Sequence, residues 1–172
     1  MTPALLLACG NPLRGDDGLG GWLAAQAREL FAGSNLEVVA SRQFTPEMAE
    51  PISTADTVIF LDCSATSEPG HISLQTVEAT TKPARLMTHH MSPESLLWMS
   101  QELYGRTPRI AYLITVGGAS FRMEERLSDA VRGAAPAVMT RISEIVQSAQ
   151  RQRWNLPGSE FEFEEAVELT TV

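Results

Sequence analysis

The chain opens on a nearly continuous apolar run, Pro3–Cys9, that stops at Gly10-Asn11-Pro12, the pattern of a buried strand entering a turn. From Gly18 the period changes. Leu19, Trp22, Leu23, Ala27, Leu30 and Phe31 recur at helical spacing until Gly33 ends the run. Leu36–Ala40 predicts a second strand. Thr45-Pro46-Glu47 then offers an N-cap residue with proline at the first helical position, and Pro51 keeps that helix short or distorted. Thr57–Asp62 reads as a third strand, mostly apolar until its terminal aspartate. His71–Val77 alternates more and follows Pro69-Gly70, which predicts an edge strand. Ser92-Pro93-Glu94 starts a helix carrying Leu96, Leu97, Leu103 and Tyr104, which Gly105 closes. Arg109–Val116 is another buried strand. Ser128 begins a long helix with Val131, Val138, Ile142, Ile145 and Val146 as its apolar positions, and Pro136 predicts a kink or a restart within it.

Strands alternating with helices imply an α/β chain: a single-domain three-layer α/β/α sandwich whose mostly parallel sheet has about five strands, one of them an edge strand. No internal repeat or linker divides the sequence, so residues 1–154 are expected to form the domain. After Trp154 the periodicity ends, and residues 155–172 read as an acidic, mobile tail.

Composition narrows the function classes. The net charge of −8 argues against a nucleic-acid partner, since phosphate contacts require basic clusters. No apolar run approaches the roughly 20 residues that span a bilayer. The N-terminus lacks the basic region of a signal peptide, so no membrane partner and a cytoplasmic location are expected. Cys9 and Cys63 match no metal or redox spacing, and each closes an apolar run; they are expected to be reduced, buried thiols.

Three groups stand where α/β sheets collect chemistry, at or beyond the carboxyl ends of strands. Asp16-Asp17 lies in the loop between the first strand and helix. One of the two is expected to cap the helix, and the second exceeds what a single cap requires. Asp62 ends a buried strand, where a charge is tolerable only if water or a ligand reaches it; a turn carboxylate held by backbone near Ser64 is the alternative. His89-His90 precedes the Ser92 cap in a chain with only three histidines, and adjacent extended residues point opposite ways, so one of the pair faces a given site. Two carboxylates and an imidazole suit a three-ligand site for a borderline divalent metal with positions left open, or metal-free acid–base work. The chain has no H-E-x-x-H, G-x-S-x-G or P-loop. On residues alone the reading is a hydrolase with an acid, acid, histidine site.

The stretch Leu6-Leu7-Ala8-Cys9-Gly10-Asn11-Pro12-Leu13-Arg14-Gly15-Asp16-Asp17-Gly18 resembles the N-terminal signature of the hydrogenase maturation endopeptidases. The likeness continues through Phe60-Leu61-Asp62, through Thr88-His89-His90-Met91-Ser92-Pro93-Glu94, and through Val116-Gly117-Gly118-Ala119-Ser120-Phe121 and Leu127-Ser128-Asp129. In order and spacing this series covers most of Ala4–Val146. The resemblance implies that Asp17, Asp62 and His89 are the catalytic and metal-binding residues, with His90 selected instead by a register shift of one. It implies an aspartic-type or metal-assisted peptidase that trims a short C-terminal peptide from the precursor of a nickel-iron hydrogenase large subunit. The nickel would be supplied by that precursor, with no permanent cofactor. Where some members carry Gly-Ile-Gln-Pro after the last strand, this chain has Val116-Gly117-Gly118-Ala119, which leaves the hydrogenase class open. Two rival readings are a maturation chaperone that binds metal or large subunit without cutting, and a related α/β peptidase with another substrate. Peptidyl-tRNA hydrolase shares the Gly-Asn-Pro turn but needs a basic groove, which an acidic chain does not supply.

Overall fold

The computed structural model describes residues 2–81 and 91–154. Five strands, β1 (Thr2–Cys9), β2 (Leu36–Ser41), β3 (Ala55–Ser64), β4 (Ile72–Thr76) and β5 (Ile110–Gly117), form one sheet in the order β2-β1-β3-β5-β4. The β1–β2, β1–β3 and β3–β5 pairs are parallel, and β4 joins the edge antiparallel to β5. The sheet is therefore mostly parallel with an edge strand at the position where alternation and Pro69-Gly70 predict one.

Side-chain parity along the central strands divides the core into two layers. Ala4, Leu6, Ala8, Ile59, Leu61, Ile114 and Val116 pack under α1 (Leu19–Leu30) and α4 (Asp129–Trp154). Their neighbours Leu5, Leu7, Cys9, Val58 and Phe60 pack under α2 (Ala49–Thr54) and α3 (Pro93–Tyr104). Burial on both faces explains why β1 and β3 read as unbroken apolar runs rather than alternating ones. Among the described residues no helix is long and apolar enough to cross a membrane.

Several terminations follow their sequence signals. Ser92 holds an extended conformation, and its hydroxyl accepts the Ser95 N–H at 3.3 Å with Pro93 behind it. Gly105 closes α3 in the left-handed region, with φ of 68°. Others depart from expectation. Thr45 is extended but makes no side-chain cap bond, and a 3-10 turn over Pro46–Met48 precedes the short α2. Of the apolar positions named for α3, Leu96 and Leu97 are buried, as is Met99, while Leu103 and Tyr104 face solvent, 66% and 46% exposed.

Helix α4 neither stops nor restarts at Pro136 but runs on to Trp154. Pro136 lacks the N–H that would bond the Arg132 carbonyl, a loss the long apolar face of Val131, Val138, Ile142 and Val146 tolerates. Pro136 is itself exposed, on a groove of about 620 Å³ shared with Trp22, Leu30 and Met139. We therefore expect Pro136→Ala to stabilise the protein by about 1–3 kcal/mol, read as a rise in the thermal or denaturant midpoint. An unchanged midpoint would mean the helix bends at this point for packing reasons that outweigh the missing bond.

Candidate active site at the carboxyl ends of β1 and β3

The loop leaving β1 is shaped by close backbone approach. Gly10 has φ of 145°, and a Cβ there would lie 1.8 Å from the Asp17 carbonyl oxygen. Gly20, in the first turn of α1, would place a Cβ 2.1 Å from the Cys9 carbonyl oxygen. Only glycine at these two positions lets the loop fold back tightly enough to hold Asp17 beside the end of β1.

The acidic pair divides its labour in an unexpected way. Neither acid caps α1, since a 3-10 turn over Gly15–Gly18 intervenes, Gly18 occupies the cap, and no side chain bonds there. Asp16 is fully buried and its carboxylate ties together two loops. Its Oδ2 accepts the Ala119 and Ser120 N–H groups at 2.6 and 3.0 Å, and its Oδ1 accepts the Ser128 N–H at 2.6 Å. Main-chain bonds extend the seam: Asp16 N–H to Ser120 carbonyl at 2.8 Å, Gly15 N–H to Glu124 carbonyl at 2.7 Å, and Glu124 N–H to Leu13 carbonyl at 3.1 Å. Burial pushes the Asp16 carboxyl upward, but the donors from Ser128, Ser120 and Ala119 outweigh it and hold the group below the usual carboxylate range.

Asp17 points elsewhere. It is partly exposed, and its Oδ2 accepts the Asn11 N–H at 2.9 Å, which leaves acceptor capacity toward solvent. Asp62 is likewise partly exposed, at the end of β3, and its Oδ1 accepts the Cys63 N–H at 2.8 Å. The backbone near Ser64 is served by other groups, for the Ser64 hydroxyl accepts the Thr66 and Ser67 N–H groups at 3.3 and 3.2 Å.

The charges of both acids act on the two cysteines. Burial raises the Cys9 thiol far above the ordinary range, reinforced by the Asp62 charge, a hydrogen bond to Asp62, and then Asp17 and Cys63. Burial likewise pushes Cys63 up to about 12, with the charges of Asp16, Asp62 and Asp17 adding to it. Both cysteines are free and buried, and both stay protonated near neutrality, unlike a nucleophilic thiolate. The arrangement therefore presents two partly exposed carboxylates close to neutral thiols.

The structure brings Asp17 and Asp62 to one end of the sheet. His89 and His90 lie outside the described residues, as does the acidic stretch 155–172. Among the described residues no group of three or more His, Cys, Asp or Glu side chains is arranged to hold a metal. Sequence reasoning missed the role of Asp16 and the place of Cys9 beside Asp62. The signal available for Asp16 was the surplus acid of the pair together with the Gly118-Ala119-Ser120 turn.

The fold is shared with solved hydrogenase maturation proteases. A hydrogenase 2 maturation peptidase from a Thaumarchaeota archaeon superimposes with a TM-score of 0.62 at 23% identity, covering 84% of this chain and 97% of that one. The [NiFe] hydrogenase maturation protease HycI of Thermococcus kodakarensis gives 0.65 at 23% identity, over 85% of this chain and 93% of that one. The hydrogenase maturating endopeptidase HybD of Escherichia coli gives 0.62 at 19% identity, over 84% and 93%. No protein-family model matches the sequence, and no curated protein sequence matches it significantly. At these identities the likeness establishes a shared fold.

Proposed function

We propose that this chain is a processing endopeptidase of the hydrogenase maturation type, which removes a short C-terminal peptide from the nickel-loaded precursor of a nickel-iron hydrogenase large subunit. The observation that carries the reading is the pair Asp17 and Asp62, two partly exposed carboxylates that each accept a backbone N–H at the carboxyl ends of adjacent strands. The fold shared with proteins named as hydrogenase maturation proteases supports it.

The chemistry follows from the donor set. Nickel carried by the precursor is a borderline cation, and two carboxylates with an imidazole from His89 are donors it accepts. Gripping that ion fixes the neighbouring peptide bond in place, which lowers the entropic part of the barrier. Hydrolysis also needs a group to take a proton from the attacking water and return it to the departing amine. A half-exposed carboxylate within hydrogen-bonding reach does both. The neutral thiols do not compete with the ion as cations would, and buried free thiols suit a reducing compartment, so we place the reaction in the cytoplasm.

Co-expression with a large-subunit precursor tests the ligand set. The precursor should lose its C-terminal peptide with the wild type and keep it with His89→Ala, while His90→Ala still cuts. The reverse pattern for the two histidines would move the ligand by one residue. Normal processing by both variants would remove the imidazole from the mechanism.

A further inference from the structure

We propose that the exposed seam of two loops beside Asp17, carrying Leu13, Arg14, Arg122 and Met123, is the docking surface for the precursor, and that it takes an acidic segment close to the bond that is cut. Such a surface presupposes the processing activity proposed above and adds to it where, and by what chemistry, the substrate is held.

Backbone pairing builds the seam. Arg14 and Glu124 form a parallel bridge, closed by the Gly15 N–H to the Glu124 carbonyl at 2.7 Å and the Glu124 N–H to the Leu13 carbonyl at 3.1 Å. That register sets Leu13 alongside Met123. Buried Asp16, accepting the Ala119, Ser120 and Ser128 N–H groups, holds the two loops together as one surface. The seam is also fixed relative to the candidate site. The Asp17 N–H donates to the Arg14 carbonyl at 3.2 Å, and a step of three residues spans at most about 11 Å. Loops tied to a rigid sheet in this way are where binding groups concentrate.

The side chains have the chemistry of an interface. Met123 is 80% and Leu13 39% exposed. Arg14 and Arg122 are exposed too, and among the described residues neither forms an ion pair. The carboxylate of Glu124, the bridge partner of Arg14, accepts the Ser120 hydroxyl at 2.6 Å. The exposed charges of the two loops are Arg14, Arg122 and Arg126 against Glu124 and Glu125, a cationic excess in a chain of net charge −8. Methionine and arginine are enriched where proteins meet, and a guanidinium fork takes a carboxylate through two hydrogen bonds. An acidic segment therefore fits this seam, whereas an acidic protein as a whole repels it. Extended chain advances roughly 3.3 Å per residue, so the recognised acids lie roughly three to five residues from the scissile bond.

Two readouts with a purified, nickel-loaded large-subunit precursor test the surface: Michaelis parameters for cleavage, and Kd measured separately by biolayer interferometry. In the double variant Arg14→Glu/Arg122→Glu, KM and Kd should both rise about tenfold, and the loss should fall on KM rather than kcat, because binding common to ground and transition states is removed. Lysines in place of the precursor's acidic residues next to the cut should weaken binding to the wild type and restore it to the reversed variant. The same change of charge in Arg141→Glu, exposed on α4 about 18 Å along the helix from Asp129, should leave KM and Kd at their wild-type values. Unchanged KM and Kd in the double variant, or an equal loss in Arg141→Glu, would overturn the docking surface and leave the peptidase standing. Binding that the double reversal weakens, with no cleavage even by the wild type, would uphold the surface and overturn the peptidase. A precursor that does not bind the wild type would overturn the surface.

Discussion

Asp17→Asn and Asp62→Asn are each expected to abolish precursor processing while leaving the unfolding midpoint close to that of the wild type. Both carboxylates accept one backbone N–H, from Asn11 and Cys63 respectively, and an amide oxygen in the same place still accepts it. What asparagine removes is the charge, and with it the grip on a cation and the ability to hold a proton in the transition state. Losing a positioned acid–base group costs on the order of a hundredfold or more in rate. Because both side chains are only half-buried, the effect on stability should remain within about 1 kcal/mol. Intact-mass analysis of the precursor after incubation reads the first effect, and thermal denaturation of the two variants reads the second. Full processing by both variants would eliminate the site.

Asp16 predicts the opposite pattern, a change felt by the fold first. Asp16→Ala removes a fully buried carboxylate and leaves three backbone N–H groups, those of Ala119, Ser120 and Ser128, without their acceptor. Each orphaned donor costs about 1–3 kcal/mol, so a loss of about 3–5 kcal/mol is expected, a large share of a typical domain's total. The same bonds predict a pH dependence. The Asp16 carboxyl is held below its unfolded value, so its contribution is fully present above the ordinary aspartate range and is lost as pH falls through its lower folded value. Denaturant titrations between neutral and acid pH should show wild-type stability declining in acid, and a shallower decline in Asp16→Ala. Equal stability of wild type and variant at neutral pH would show that the loops hold each other without the carboxylate.

The contrast between these neighbours explains how far the sequence reaches. Strands β1, β3 and β5 were readable because burial on both faces leaves unbroken apolar runs, and Asp62 drew notice as the charge that ends one. Asp17 was readable as part of a surplus acidic pair in a glycine-bounded loop. The helix cap expected of that pair does not form, because the 3-10 turn moves both acids upstream of α1. The partners of Asp16 lie 103, 104 and 112 residues further along the chain, so no local spacing could reveal them. The placing of Cys9 alongside Asp62 depends on register between β1 and β3, which a single sequence does not specify. At Pro136 the expected restart does not occur: the helix runs through it, along an apolar face extending to Val146.

The most direct test of the account is the mass of a purified hydrogenase large-subunit precursor after incubation with this protein, with and without nickel loaded into the precursor. Loss of one short C-terminal peptide is expected from the nickel-loaded sample only. Cleavage that ignores nickel would contradict the role given to the two carboxylates, and an intact precursor in both samples would contradict the peptidase itself.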